Sequence, residues 1–343
     1  MYRNTINTIR HNKTYCTLIA TMILASYSLN LVKEIDDTDP YPDYWENIIP
    51  MKMKCDYSIS HMKLVFENGS LTYQKVNERG FLKYWANCFS YQYLGNDRIL
   101  PIVFSVVIVY LTYVLANQIT GNRIIGLISM AAISLNPMLT KFDSSPTYDQ
   151  MWSMFFLLSL VLIYKKPLLG IVSFPLSVIS KILAVAYMPG IFLHIIIDKK
   201  IRHRKAMIVS AIILGGIGVI SLAFFGVGNK IGMYPERLLD GFLSIFENIW
   251  PVFPVIIGCI VIDRFFMPKE RPEGKRIVLV WLAWILTTTP LIYLFTAGQL
   301  QFGYRFVPFA VFLSIYLGIV CVQLGNFIVE TRLRKQSLKS VSS

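Results

Sequence analysis

The chain has 343 residues, of which 55% are hydrophobic and only 15% are charged, whereas soluble domains carry about 25% charged residues. A mean hydropathy of +0.53 excludes a disordered chain, a nucleic-acid-binding domain and an ordinary cytosolic enzyme. The net charge of +13 is not a nucleic-acid signal, because its distribution along the chain follows a membrane topology. The composition predicts an all-α polytopic membrane protein, with residues 1–343 forming one membrane domain.

Apolar segments of the chain predict about ten membrane-spanning helices, since a run of about 18 or more apolar residues is long enough to cross a bilayer. The fifth segment carries Pro175. It forms either a span of its own or a half-helix that continues into the sixth across Ser180 and Lys181. The predicted spans are 14–32, 99–117, 124–140, 149–164, 167–180, 182–197, 206–225, 248–264, 277–296 and 304–328.

The basic residues predict the orientation, since cytoplasmic loops carry an excess of Lys and Arg. Placing the N-terminus in the cytoplasm puts most of the 33 Lys and Arg residues on the cytoplasmic side and most of the 20 acidic residues outside. An even number of spans then places both termini in the cytoplasm. We expect an integral protein of the plasma membrane or an equivalent membrane, with its first span retained as a signal anchor.

The first external loop, 33–98, is far longer than a connection between two helices requires. Its second half places Phe81, Trp85 and Phe89 on one face of a helix. This pattern predicts either a helix in the membrane interface or a helix packed on its own domain. Residues 226–247 predict a second, shorter interfacial element.

Acidic residues crowd the start of the first loop, where Asp36, Asp37 and Asp39 follow the first span. Like charges repel, so such a cluster is stable only when it is hydrated, paired or metal-bound. It is therefore either a solvated turn or a general-base or metal site that faces a cavity in the membrane. Apolar walls raise the pKa of a carboxylate towards the range useful for removing a proton from a hydroxyl.

A second acidic pair, Asp143 and Asp149, flanks a short loop on the same predicted side. Carboxylates from the two loops are able to share a divalent cation through oxygen ligands. The alternative for each residue of the pair is a helix cap, which Pro146 in the first helical turn favours. The sequence leaves both interpretations open.

Lys181 and Arg305 lie at the external ends of predicted spans, against the rule that basic residues stay inside. An ionisable residue at membrane depth is a functional hypothesis, because its burial is costly. The two residues suit a phosphate at the outer interface, Arg through a bidentate fork and Lys as a point charge. Arg98, at the mouth of the second span, is a third candidate. The alternative for these residues is snorkelling to the headgroups.

The remaining titratable residues give little chemistry. His194 fits no zinc motif and is predicted to be a structural or interfacial residue, and the five cysteines show no metal-type spacing. Cys55 and Cys88 share the first loop and are able to pair, but nothing in the spacing requires it. The sequence has no Walker motif, GxGxxG, HExxH or nucleophile elbow, so ATP-driven transport and soluble-type hydrolysis have no support.

Four features of the chain occur together in one known group of membrane enzymes. A long external loop with early acidic residues follows the first span, an Arg-x-x-Pro motif at 98–101 begins the second, and a short external loop carries Asp149. A Gly- and Pro-containing stretch leads to Lys181, and Tyr-Arg-x-x-Pro stands at 304–308. This layout resembles the GT-C superfamily of integral-membrane glycosyltransferases, which includes protein O-mannosyltransferases and lipid A aminoarabinose transferases.

The resemblance implies a GT-C-like fold and a specific reaction. A sugar would pass from a polyprenyl-phosphate donor to a lipid or protein acceptor on the external face, with inversion at the anomeric carbon. The general base would be Asp37, with Asp36 or Asp39 as the alternative. Many members read Asp-Glu where this chain reads Asp36-Asp37, which leaves the choice of aspartate open.

The resemblance also implies ligands for the phosphate and allows a metal. Lys181, Arg305 and Arg98 would hold the donor phosphate, although many members read Arg-Tyr where this chain reads Tyr-Arg at 304–305. The family is divided on metal use, so no cofactor is required. A divalent cation, Mg or Mn, would be held by Asp37, Asp143 and Asp149.

Two other classes of function remain as alternatives. The Pro- and Gly-interrupted region 167–197 is typical of a secondary transporter, in which broken helices mark the substrate site. A membrane subunit that only binds partners is the other alternative. If the protein is an enzyme, we expect the acidic residues of the external loops and Arg305 to meet at one cavity.

Overall fold

A computed structural model describes residues 13–35, 81–146, 150–201, 204–205, 207–209, 212, 233–266, 273–295 and 303–341, and their regular structure is helical throughout, without a strand. Short 3-10 helices cover Ile182–Tyr187, Pro235–Arg237, Trp250–Val252 and Gly303–Phe306. The α-helices are α1 Lys13–Val32, α2 Phe81–Leu94, α3 Ile99–Thr120, α4 Arg123–Ser134, α5 Pro137–Thr140, α6 Met151–Lys165, α7 Pro167–Ser180, α8 Met188–Ile197, α9 Leu238–Ile249, α10 Phe253–Phe266, α11 Glu273–Phe295 and α12 Val307–Val341.

Several helices have the length and composition of membrane spans, which agrees with the predicted class of all-α membrane protein. Five helical stretches in the described part are long and apolar enough to cross a membrane: Lys13–Val32, Ile99–Thr120, Pro235–Phe265, Gly274–Leu294 and Val307–Leu333. Four further helices are apolar but shorter than a full span: Arg123–Ser134, Met151–Lys165, Pro167–Ser180 and Ala184–Ile197. Most of the predicted span 206–225 lies outside the described residues.

The third predicted span, 124–140, is interrupted in the structure. The helix α4 stops at Ser134, and a separate turn of helix, α5, follows. Asn136 caps this turn, because its side chain accepts a hydrogen bond from the backbone N–H of Met138, and Pro137 occupies the first helical position. A cap and a proline at this point end one helix and start the next, and this places residues 141–146 at the end of the bundle.

Small residues bring the helix backbones into close contact, as is usual for helices packed inside a membrane. A side chain at Gly318 of α12 would lie 2.7 Å from Ser129 Oγ and 2.9 Å from the carbonyl oxygen of Ile125, both on α4. Gly170 of α7 approaches the backbone of Ser159 on α6 in the same way. The first half of α12 is consequently buried and forms the centre of the bundle.

The bundle has two distinct ends. One end, which we call the cavity end because Lys181 and Arg305 line a cavity there, also carries Glu34 and Arg98. The opposite end carries Lys200. At the opposite end, Lys200 Nζ donates to the carbonyl oxygen of Ile119, 2.5 Å away at the end of α3. Glu34, Arg98 and Ser144 meet at the cavity end through side-chain hydrogen bonds.

The chain reverses direction at Lys181. The last turns of α7 lie at the cavity end, where Ser177 Oγ donates to the carbonyl oxygen of Trp152 at 2.7 Å. The following segment runs back to the opposite end, where His194 meets Tyr164 near the end of α6. The predicted half-helix that continues through Ser180 and Lys181 is therefore wrong. The interruption at Lys181 therefore lies at an end of the bundle.

Two predicted interfacial elements contain helices. The first-loop helix α2 packs on α3 and α7 at the cavity end, with Ala86 and Asn87 buried and Tyr93 exposed. Cys88 on this helix is disulfide-bonded, and its partner lies outside the described residues, because the other described cysteines are free. In the second element, α9 packs against α11 through Gly241 and exposes an apolar face on its other side. Residues 226–232 lie outside the described part.

His194 is part of a buried polar cluster at the opposite end, as its predicted structural role requires. Trp281 Nε1 donates to His194 Nδ1 at 2.8 Å, and His194 Nε2 lies 2.8 Å from the hydroxyl of Tyr164. That hydroxyl also donates to the carboxylate of Asp198, which is fully buried. Because Nδ1 accepts the indole proton, a neutral imidazole carries its own proton on Nε2.

We expect Tyr164→Phe to destabilise the protein, because it leaves Asp198 Oδ2 without its hydroxyl donor in a buried site. The loss of one buried partner of a charged group costs about 1–3 kcal/mol or more. The measurement is thermal unfolding of the detergent-solubilised protein. The matched control is Tyr110→Phe, since Tyr110 is 47% exposed. Equal unfolding temperatures for the two variants would contradict the structural role of this cluster.

Candidate functional site

Lys181 and Arg305 line one cavity at the cavity end of the bundle, although they are far apart in the chain. The cavity has a volume of about 30 Å³ and is open to the outside at its mouth. Its walls come from the start of α6, the segment after α7, the end of α11 and the segment before α12. The lining residues are Trp152, Lys181, Tyr187, Thr289, Ile292, Tyr293, Arg305 and Phe306.

Lys181 reaches this cavity because it interrupts the helical path of the chain. Its backbone is extended, with φ −156 and ψ 114. Its N–H still donates to the carbonyl oxygen of Ser177 at 2.9 Å, and its carbonyl oxygen accepts from the N–H of Ala184 at 2.9 Å. These two backbone hydrogen bonds fix the position of Lys181, so its side chain lies at the turn between two helices, at the end of the bundle.

Arg305 is positioned by the 3-10 helix Gly303–Phe306, which precedes α12. Phe306 and Val307 are buried beside it, and the segment packs against α5. Pro308 lies in the first turn of α12, a position where a missing N–H has no cost. The apolar neighbours fix the backbone of Arg305 at the rim of the core, so that its guanidinium contributes to the cavity wall.

Aromatic rings form the inner wall of the cavity. Trp152 stacks on Tyr187 with ring centroids 5.9 Å apart, and Tyr187 lies 5.2 Å from Phe156. Phe156 in turn contacts Trp281 edge-on at 5.4 Å. Trp152 is 3% exposed, and its Nε1 has no hydrogen-bond partner among the described residues. A buried indole N–H of this kind is a donor that a ligand oxygen is able to satisfy.

The chemistry of the lining favours an anion. Lys181 and Arg305 contribute two cationic side chains to the lining. Tyr187, Thr289 and Tyr293 also line the cavity, and the hydroxyl of Thr289 donates to the carbonyl oxygen of Ile285 at 2.9 Å. Phosphate oxygens accept charge-assisted hydrogen bonds from guanidinium and ammonium groups, and these bonds are stronger in a site with apolar walls.

A polar cluster that we call the clasp lies at the same end and consists of Tyr27, Glu34, Arg98, Asp143 and Ser144. The hydroxyl of Tyr27 donates to Asp143 Oδ2 at 2.9 Å. Ser144 Oγ donates to Glu34 Oε2 at 2.7 Å and accepts from Arg98 Nη1 at 3.2 Å. The clasp therefore joins the end of α1, the start of α3 and residues 141–146.

Arg98 belongs to the clasp and is not among the described residues that line the cavity. It is 6% exposed, and its backbone N–H donates to Asn96 Oδ1 at 2.8 Å. Of the three predicted phosphate ligands, the structure thus brings Lys181 and Arg305 to one cavity and places Arg98 in a neighbouring cluster.

The predicted catalytic residues Asp36, Asp37 and Asp39 lie outside the described residues, and so does Asp149. Asp143 is therefore the one predicted metal ligand that is described. Its Oδ2 accepts from Tyr27, and its Oδ1 has no hydrogen-bond partner in the described part of the chain. Within the residues that the structure describes, no group of three or more His, Cys, Asp or Glu side chains is placed to hold a metal ion.

Burial raises the pKa of Asp143 to about 7, and the nearby Glu34 carboxylate adds to this effect, while the hydrogen bond from Tyr27 opposes it. The folded protein therefore binds a proton between about pH 4 and 7 that an unfolded chain with the ordinary pKa of 3.8 releases. Stability is expected to fall as the pH rises through this window and to level off above it.

Asp143→Asn should remove this pH dependence, because an amide cannot ionise and its oxygen is still able to accept from Tyr27. The measurement is the unfolding temperature in detergent from pH 5 to 8, with Asp240→Asn on the exposed side of α9 as the control. The same slope in the wild type and Asp143→Asn would show that this carboxyl does not set the pH dependence.

Sequence reasoning missed the aromatic lining and the partners in the clasp. Trp152, Tyr187 and Tyr293 lie within apolar segments, where an aromatic residue is ordinarily part of the core. Tyr27 lies in the last turns of α1 and gave no separate signal. Its distance from Asp143 along the chain shows that only tertiary structure reveals the pair.

Comparisons with protein-family models, with curated proteins and with solved structures find no match to this chain.

Proposed function

We propose that this protein is an integral-membrane glycosyltransferase of the GT-C kind. It moves a sugar from a polyprenyl-phosphate donor to a hydroxyl of a lipid or protein acceptor on the external face, with inversion. The observation that supports this proposal most is the cavity that Lys181 and Arg305 share, because it brings two cationic side chains from distant parts of the chain to one site. The sequence predicts both residues as phosphate ligands from their positions at the ends of predicted spans, against the charge rule, and this prediction does not depend on the cavity.

In this mechanism the donor phosphate binds between Lys181 and Arg305. Asp37 removes the proton of the acceptor hydroxyl, and the hydroxyl oxygen attacks the anomeric carbon in line with the leaving group. The bond between the anomeric carbon and the phosphate oxygen breaks, and the phosphate leaves with the bonding electron pair. The ammonium and guanidinium groups stabilise the negative charge that develops on this oxygen.

The proposal places the cavity end outside and the opposite end, with Lys200, in the cytoplasm. The disulfide at Cys88 supports this orientation, because disulfides persist in oxidising compartments, and α2 lies at the cavity end. The basic residues between 198 and 205 support it as well, since they follow the segment that ends at the opposite end.

Thiol labelling tests this orientation. We expect a membrane-impermeant maleimide added to intact cells to label Lys33→Cys and to leave Arg202→Cys unlabelled until the cells are opened. Both variants are made in a Cys321→Ala background, because Cys321 is the exposed one of the described free cysteines. Labelling of position 202 from outside, with none at position 33, would invert every predicted span.

Transfer by the purified protein tests the activity itself. The protein is incubated with a panel of labelled polyprenyl-phosphate sugars and with membrane lipids or secreted proteins as acceptors. We expect transfer from at least one donor, together with loss of that transfer in Asp37→Asn. Saturable uptake of a solute into vesicles by the reconstituted protein, without transfer from any donor, would instead favour a transporter.

A further inference from the structure

We propose that the clasp of Tyr27, Glu34, Arg98, Asp143 and Ser144 is a positioning site, in which these side chains hold the chain where the two acidic segments begin. In this account Arg98 and Asp143 act as positioning residues and do not ligate phosphate or metal. The catalytic consequence of the clasp rests on the proposed function, whereas its structural consequence does not.

The clasp joins parts of the chain that are distant in sequence. The Tyr27–Asp143 and Glu34–Ser144 contacts tie α1 to residues 141–146, and Arg98 adds the start of α3 through its bond to Ser144. Asp143 is 3% exposed and Arg98 is 6% exposed. Hydrogen bonds to buried charged groups are among those that contribute most to holding a structure together.

Asparagine side chains from the neighbouring helix and loop hold the backbone just before each acidic segment. Asn96 Nδ2 donates to the carbonyl oxygen of Ile35 at 3.0 Å, and Asn87 Nδ2 donates to that of Pro146 at 3.2 Å. Ile35 immediately precedes Asp36 in the sequence, and Pro146 lies three residues before Asp149. The clasp and these two bonds thus fix the points from which both acidic segments continue.

The clasp is also connected to the cavity through adjacent residues. Ser105 Oγ on α3 donates to the carbonyl oxygen of Asp143 at 2.8 Å. Its neighbour Phe104 packs with Met151, which precedes the cavity residue Trp152. A disturbance of the clasp is therefore expected to change how the loop carboxylates meet a bound donor, while the ligands Lys181 and Arg305 stay in place.

Tyr27→Phe tests the clasp, because it removes one hydroxyl and keeps the ring. The matched control is Tyr110→Phe, an exposed tyrosine on α3. The structural reporter is Ile35→Cys in the Cys321→Ala background, labelled by an impermeant maleimide, with the exposed Lys33→Cys as a local reference. We expect Tyr27→Phe to speed labelling at position 35 about 5-fold or more, the scale of one lost buried hydrogen bond, and to leave position 33 unchanged.

The kinetic readout separates positioning from phosphate binding. Tyr27→Phe should lower kcat and leave the donor KM unchanged, whereas a lost phosphate ligand raises the donor KM. Ser144→Ala, which breaks the bonds to Glu34 and Arg98, serves as the second variant if Tyr27→Phe fails to fold.

An unchanged labelling rate at position 35 in both variants would contradict the proposal that the clasp holds the chain at this point. Equal acceleration at positions 33 and 35 would overturn it too, because that result indicates general loosening. Faster labelling with an unchanged kcat would overturn the positioning role. Faster labelling in a protein that transfers no sugar in its wild-type form would support the clasp and contradict the proposed function.

Discussion

Lys181→Gln and Arg305→Gln are each expected to weaken use of the donor about 10- to 100-fold, measured as kcat/KM for the donor at a fixed acceptor concentration. Each substitution removes a cation from the shared cavity and with it charge-assisted hydrogen bonds worth about 1.5–3 kcal/mol. Since about 1.4 kcal/mol corresponds to a tenfold change, either loss alone falls in this range. Snorkelling side chains would instead predict little change.

Arg305→Lys separates charge from geometry. An ammonium keeps the positive charge but cannot reproduce the bidentate fork of a guanidinium, so this variant is also expected to be impaired. The control is Lys141→Gln, since Lys141 is an exposed cation at the cavity end that is not among the cavity-lining residues. Unchanged donor dependence in all three cavity variants would remove the phosphate site.

Asp37→Asn is expected to lower turnover about 100-fold or more, the scale at which a general base contributes. The protein should remain folded, because asparagine has nearly the shape of aspartate and the sequence predicts a loop here, where most substitutions change stability by less than about 0.5 kcal/mol. The measurement is the single-turnover rate of sugar transfer with saturating donor, alongside the unfolding temperature of the same preparation.

The neighbouring aspartates decide the assignment of the base. Asp36→Asn and Asp39→Asn are expected to retain more activity than Asp37→Asn. If transfer survives in Asp37→Asn and is lost in Asp39→Asn, the base is Asp39. If all three variants transfer sugar at the wild-type rate, the first loop does not supply the base.

The predicted phosphate ligands could be chosen from sequence because charge is scarce in an apolar chain. Lys181 and Arg305 stand out at the ends of predicted spans, on the side where the predicted topology has few basic residues, and this signal needs no knowledge of contacts. The same signal predicts Arg98 as a phosphate ligand, but in the structure the guanidinium of Arg98 donates a hydrogen bond to the hydroxyl of Ser144. A charge at a span end indicates that the residue has a partner, but it does not distinguish a ligand from a neighbouring side chain.

Local signals also account for which parts of the fold were predicted. Asn136 and Pro137 form a recognisable helix start. The sequence nevertheless predicts one continuous span over 124–140, because the hydropathy of this segment does not change at the cap. The reversal at Lys181 could not be read locally, since a hairpin and a continued half-helix share the same apolar pattern on both sides of a polar residue. The partners of Tyr27 and Trp152 depend on packing between distant helices, which hydropathy does not encode.

Equilibrium binding tests the claim that the Lys181–Arg305 cavity binds the phosphate of a polyprenyl-phosphate donor, and it does so without requiring catalysis. Radiolabelled polyprenyl phosphate is titrated onto the purified protein, with unlabelled polyprenol of the same chain length as the competitor that lacks phosphate. We expect saturable binding that polyprenol does not displace and that Lys181→Gln and Arg305→Gln each weaken about tenfold or more. Equal affinity in the wild type and both variants, or displacement by polyprenol as effective as by polyprenyl phosphate, would contradict the claim.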